Sequence, residues 1–168
     1  NDVGKYKSDV IKKKIKLIND KIKLKIFKER AKDKNLSKIL PKFDIIVDGT
    51  DNFPTKFLLN KYSLKYRKKL VIGAISKFDG HIFSFDFKNK NTPCIRSFYQ
   101  EENISDEILN CDYEGILGTV ASTIGSIQSN EILKKILNIG KNLNGYVLII
   151  DLLNLNFRKV KYNKIKSV

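Results

Sequence analysis

Phe43-Asp-Ile-Ile-Val-Asp-Gly-Thr-Asp-Asn-Phe53 is a short β-branched run with polar ends, followed at once by a small polar loop. Ile45, Ile46 and Val47 show no polar alternation, which predicts a central parallel strand covered on both faces. Gly49 to Asn52 is then the loop at the carboxyl end of that strand. Pro54 fits the first turn of a helix, which carries Phe57, Leu58 and Tyr62 on its inner face and runs to about Arg67. Leu70 to Ile75 is a second buried strand. Strand, loop, helix, strand is the repeating unit of an open α/β sheet. Ligands in such sheets lie beyond the carboxyl ends of the parallel strands, which places the chemistry at Gly49-Thr-Asp-Asn52.

Upstream, Ile11, Ile15 and Ile18 follow the i, i+4, i+7 spacing of an amphipathic helix that stops at Asn19-Asp20. Ile22, Leu24 and Ile26 alternate with Lys, predicting a half-buried strand. A short helix is expected around Leu36 to Leu40, ending at Pro41. Downstream, Asp79-Gly80 is a hairpin signal, and His81 to Phe87 is its return strand. Residues 88–114 are polar and irregular, with Pro93 and the acids Glu101, Glu102, Asp106 and Glu107. A loop of that length inside a domain is usually functional. Gly115 to Ile139 reads as a long helix with small residues near its start (Gly118, Ala121, Ser122, Gly125), capped by Gly140. Tyr146 to Asp151 and Leu155 to Tyr162 complete the chain as a hairpin. The expectation is one α/β domain over residues 1–168: a Rossmann-like open sheet of parallel strands with an antiparallel extension.

The composition fits that fold and removes several function classes. The chain has 168 residues, 42% hydrophobic, which is too apolar for a disordered chain. No apolar run approaches the ~20 residues that span a bilayer, so no membrane is expected. Two cysteines cannot staple a disulfide-dense scaffold. A cytoplasmic location is expected, with an organelle as the alternative because a targeting segment would lie upstream of Asn1. There is no Met, so the sequence is expected to be a piece of a longer chain. The net charge is +15, from 33 basic and 18 acidic residues, and residues 1–41 carry +9 of it. Only Arg30, Arg67, Arg96 and Arg158 are arginines. Arg is the usual reader of phosphates and guanine edges, so the charge reads as solvated lysine faces, and a nucleic-acid partner is not expected.

Few residues have the type and place for chemistry. Asp48 and Asp51 flank the strand-end loop, where a carboxylate can hold Mg²⁺ through oxygen. The competing reading is an Asx turn or helix cap, because Thr50 and Asn52 precede a helix. Cys111 lies before a glycine-rich helix start, a position that favours a thiolate nucleophile; a half-buried inert thiol is the alternative. Cys94 in Pro93-Cys-Ile-Arg-Ser97 has no CxxC partner, and with His81 the chain lacks the four ligands of a structural zinc site. His81 reads as an ordinary strand-edge residue.

Five blocks, in order and spacing across the whole chain, resemble the ThiF/MoeB adenylyltransferases, relatives of ubiquitin-activating enzymes. They are Asp2-Val-Gly-Lys-Tyr-Lys7, Phe43 to Phe53, Gly73 to Gly80, Asn110-Cys-Asp-Tyr-Glu-Gly-Ile-Leu-Gly118, and Gly125-Ser-Ile-Gln128 with Glu131. The resemblance implies ATP- and Mg²⁺-dependent adenylation of the C-terminal glycine of a ubiquitin-like sulfur-carrier or modifier protein, with later transfer to sulfur or to a cysteine. It implies that Lys7 contacts ATP phosphates, that Asp51 is the metal-associated aspartate, that Asn52 is an adjacent nucleotide contact, and that Cys111 forms the covalent link to the carrier. It also implies a homodimer. The family's first Rossmann half, with its glycine-rich loop, would precede Asn1. Its zinc knuckle begins Pro-Cys-x-x-Cys; here Ser97 replaces the second cysteine, so Cys94 alone remains and zinc is not supported.

Two other readings stay open on the sequence. One is a non-catalytic half of a split activating enzyme. The other is a tRNA-modifying dehydratase of the same superfamily.

Overall fold

The computed structural model describes residues 2–99 and 115–165. By contacts the chain divides into two units, Asn1–Ala31 and Lys32–Val168. The first holds α1 (Lys7–Ile18), an exposed helix. Asp9 in its first turn pairs with Lys28 at 2.7 Å. Residues 23–28 form no strand, contrary to the alternation of Ile22, Leu24 and Ile26. Alternation marks a chain suited to half-burial, but a strand also needs a ladder partner, and none pairs with this segment among the described residues.

The second unit contains α2 (Asp33–Ile39), a 3₁₀ turn (Leu40–Lys42), β1 (Ile45–Asp48), α3 (Phe53–Lys65), β2 (Lys69–Ser76), β3 (Asp79–Asp86), a 3₁₀ turn (Ile95–Ser97), α4 (Gly118–Leu137), β4 (Tyr146–Asp151) and β5 (Asn156–Lys161). The strands form one sheet in the order β1-β2-β3-β4-β5. β1 and β2 are parallel, with Ile45 opposite Lys69 and Asp48 opposite Ile72. The remaining pairs are antiparallel. The parallel start and antiparallel extension read from the sequence are therefore the observed topology.

Strand pleating sorts the core. Ile82 of β3 and Ile150 of β4 pack with Val120 and Ile124 of α4 on one face. Phe83, Phe85 and Phe87 stack along the other face, joined by Phe98 and Tyr99. α3 lies on that second face, where Phe53 meets Tyr99 at 4.8 Å and Asn60 Oδ1 accepts the Ile95 N–H. β2 and β3 are thus covered on both sides. Burying one such aliphatic or aromatic side chain is worth about 1.5–3 kcal/mol.

Several local expectations are corrected. β1 has one partner, so among the described strands it is an edge rather than central, and Val47 is half exposed. The β2–β3 turn is Lys77-Phe78, because Ser76 pairs with Asp79; Lys77 takes the positive φ. Asp79 and Gly80 already belong to β3. Gly80 is there for packing: a Cβ on it would sit 2.2 Å from Ile124 Cδ1. α4 starts at Gly118 and ends at Leu137, with Asn138 rather than Gly140 as its left-handed cap. Asn tolerates that conformation better than other non-glycine residues. α2 starts earlier than predicted, and Pro41 lies within the 3₁₀ turn.

Candidate functional site

β1 delivers Asp48 to the interior, and everything at its carboxyl end is built around that carboxylate. Asp48 Oδ1 accepts from Thr50 N at 2.9 Å and from Thr50 Oγ1 at 2.7 Å. This is an Asx-type turn, in which a side chain holds the backbone two residues on. Asp48 Oδ2 pairs with Lys56 Nζ at 3.0 Å, both side chains essentially out of solvent. The same ammonium donates to the carbonyl of Thr50 at 2.6 Å and of Gly73 at 2.8 Å. Lys56 has three N–H donors and satisfies three acceptors, so this buried cation is fully compensated. Gln128 of α4 donates from Nε2 to the Asp48 carbonyl at 2.9 Å. Gly73 makes room for it: a Cβ there would meet Gln128 Oε1 at 2.5 Å. One buried cluster therefore ties β1, α3, β2 and α4 together directly beneath the Gly49–Asn52 loop.

The loop presents its own polar groups outward from this anchor. Asn52 caps α3, its Oδ1 accepting the Thr55 N–H at 2.9 Å. Asn52 Nδ2 donates to Asp51 Oδ1 at 3.1 Å. Asp51 is exposed, beside the N-terminus of α3, where the helix dipole favours negative charge. The turn and cap reading is observed at Asp48 and Asn52. Asp51 is the outward carboxylate.

Phe53, at the first turn of α3, also lines a cavity of about 160 Å³ with Ala74, Ser76, Asp79, His81 and Tyr99. It opens at the carboxyl end of β2, on the same side of the sheet as the loop. His81 lies on β3, which is paired on both sides, and not at a sheet edge. Its Nδ1 shares a hydrogen bond with the Tyr99 hydroxyl, and its ring stacks on Tyr99 at 5.8 Å. Burial pushes its pKa below the ordinary value, with Asp79 opposing. The ring is therefore kept neutral near pH 7.

The structure brings Asp51 and Asn52 together. Lys7 opens α1 in the first unit and is exposed. Cys111 lies outside the described residues. Cys94 is buried just before the 3₁₀ turn at Ile95. Among the described residues, no group of three or more His, Cys, Asp and Glu side chains is placed to hold a metal ion. No helix among them is long and apolar enough to cross a membrane. The sequence reading gave no contact to Lys56, to Gln128 or to the His81–Tyr99 pair. For Lys56 a signal existed: it falls between Phe53 and Phe57 on the helix that follows an acidic strand end.

The profile described as the ThiF family matches residues 1–167. The chain belongs to the ThiF family. Among ThiF-type relatives, it is 33% identical over 162 residues to a sulfur carrier protein adenylyltransferase of Thermus thermophilus, covering 95% of this chain and 60% of that protein. It is 35% identical over 169 residues to a probable molybdopterin-synthase adenylyltransferase of Pyropia yezoensis, covering 100% of this chain and 44% of that protein. The chain thus spans about half the length of these relatives. Among solved structures, E. coli MccB crystallised with MccA superposes with a TM-score of 0.81 over 99% of this chain and 50% of that one, at 17% identity. That likeness shows the Rossmann-type fold.

Proposed function

We propose that the chain is part of one adenylyltransferase domain that uses ATP and Mg²⁺ to activate the C-terminal glycine of a ubiquitin-like sulfur-carrier protein. The observation that carries this reading is the loop at the carboxyl end of β1. It holds an exposed Asp51 on a buried Asp48–Lys56–Gly73 anchor, in a ThiF-family chain whose relatives are named as carrier-activating adenylyltransferases.

The residues present fit the cofactors. Mg²⁺ uses one or two carboxylates and takes its other ligands from water and substrate phosphates, so a single outward carboxylate such as Asp51 suffices. When bound, the ion would neutralise charge on the nucleotide phosphates. Asn52 orients the Asp51 carboxylate through its amide and is itself held by Thr55. Lys7 would supply a point charge to the phosphates. The covalent step after adenylation, to sulfur or to the Cys111 thiolate, belongs to the same reading. So does a homodimer.

ATP–pyrophosphate exchange tests this in the full-length protein, with ubiquitin-like carriers added in turn. Asp51→Ala should lower carrier-dependent exchange by about a hundredfold or more, the scale for losing a key electrostatic group. Cys111→Ala should leave exchange intact and block the later transfer. Exchange that is absent with every carrier, or undiminished in Asp51→Ala, would refute the proposal.

A further inference from the structure

The opposite end of the sheet carries a second polar site. Ile45 and Lys69 pair at the amino ends of β1 and β2, away from the Gly49–Asn52 loop. There a cleft of about 570 Å³ is lined by Asp44, Arg67, Lys68, Lys69, Lys88 and Lys135.

Lys135 is the unusual member. The buried stripe of α4 runs Val120, Ile124, Gln128, Glu131, Lys135, so a lysine occupies the last core-facing position of the helix. Its side chain is more than nine-tenths buried. Among the described residues its Nζ makes no hydrogen bond. Several neighbouring charges have partners of their own. Lys68 donates to the Pro41 carbonyl at 2.8 Å, and Lys69 to the Lys135 carbonyl at 3.2 Å. Glu131 accepts the Leu143 N–H at 3.0 Å and pairs with Lys134. Asp86 accepts the Lys88 N–H at 3.1 Å.

A buried amine with three donors and no acceptor is costly, and native proteins rarely leave one so. Lys135 lines a cleft in which Arg67, Lys68, Lys69 and Lys88 outnumber the acid Asp44. The missing partner has the character of a compact oxyanion with several acceptor oxygens. Phosphate, doubly charged near neutral pH, matches a guanidinium fork and several ammonium groups better than a single carboxylate does. We propose that this cleft binds a phosphate group, with the Lys135 ammonium as its most buried ligand and Arg67, Lys69 and Lys88 around it. The phosphate is either the free anion or the group of a small phosphorylated molecule.

Burial lowers the pKa of Lys135, with Asp86 and Glu131 opposing and Lys69 and Lys134 acting in the same direction. A bound anion would offset that burial penalty by stabilising the charged amine. The site lies away from Asp51, and its occupancy does not depend on the adenylation reading.

The test is titration of the full chain at fixed ionic strength, by calorimetry, with inorganic phosphate and with AMP. Lys135→Met keeps the stem's volume and removes the amine. Lys38→Met, on the exposed face of α2, removes the same charge elsewhere. The expected result is saturable binding that Lys135→Met weakens by about 10- to 100-fold, the value of one lost charged hydrogen bond, while Lys38→Met changes it less than about twofold. Tighter AMP binding with the same Lys135 dependence assigns a phosphorylated molecule; equal or tighter binding of inorganic phosphate assigns the free anion. No saturable binding of either probe at millimolar concentration, or equal affinity in Lys135→Met, would overturn the proposal.

Discussion

Replacing Lys56 with Met should destabilise the protein more than almost any other change to a charged residue. Lys56 Nζ serves three acceptors, the buried Asp48 Oδ2 at 3.0 Å and Gly73 carbonyl at 2.8 Å and the part-buried Thr50 carbonyl at 2.6 Å. Met fills most of the space but leaves the Asp48 carboxylate charged and buried. Breaking such a pair from one side costs about 3–5 kcal/mol, a large share of the roughly 5–15 kcal/mol that holds a domain folded. For a domain of this size each kcal/mol moves Tm by about 2–4 °C, so a fall of about 6–20 °C is expected. Urea unfolding would measure it. Asp48→Asn in the Lys56→Met background removes the unpaired charge and keeps the Asx turn. The double variant should therefore be more stable than Lys56→Met alone, with a coupling energy of about 1.5 kcal/mol or more. A loss below about 1 kcal/mol, within the range of an exposed ion pair, would refute the reasoning. So would simple additivity of the two changes.

Two further outcomes follow from the packing and the buried histidine. Gly80→Ala drives a methyl into Ile124, whose Cδ1 is 2.2 Å from the new Cβ position; a cost of about 1–3 kcal/mol is expected. Ile124→Val, which deletes that methyl, should recover part of it, and a urea series on the four proteins would show whether it does. The pKa of His81 is lowered by burial, so below the ordinary value of 6.5 the unfolded chain binds the proton more readily than the folded one. Its contribution to stability is full above about pH 6.5 and declines as the pH falls toward the lower folded pKa. Urea midpoints measured between about pH 7.5 and 5 should fall less in His81→Asn than in the parent, and parallel curves would contradict the assignment.

The order and type of most elements were determined by the sequence alone. Phe43 to Phe53 contains a β-branched strand, a polar loop and a proline at a helix start, each of which is a local property. The hairpin returns and the α4 periodicity are local in the same sense. The place of Asp51 in the loop that follows β1 was legible because it is fixed by sequence order. What only the tertiary structure decided is which polar groups face each other. Lys56 meets Asp48 and Gly73 because α3 folds back over β1 and β2, and the Gly73 contact spans 17 positions. Gln128 reaches Asp48 across 80. No periodicity encodes such a meeting. Residues 22–26 show the converse: alternation prepared a strand that no edge among the described residues completed, because a strand exists only through its ladder. Lys135 looked like one more lysine among 29. Its burial is set by the α4 stripe meeting the amino ends of β1 and β2, a geometry that one strand's or one helix's residues do not contain.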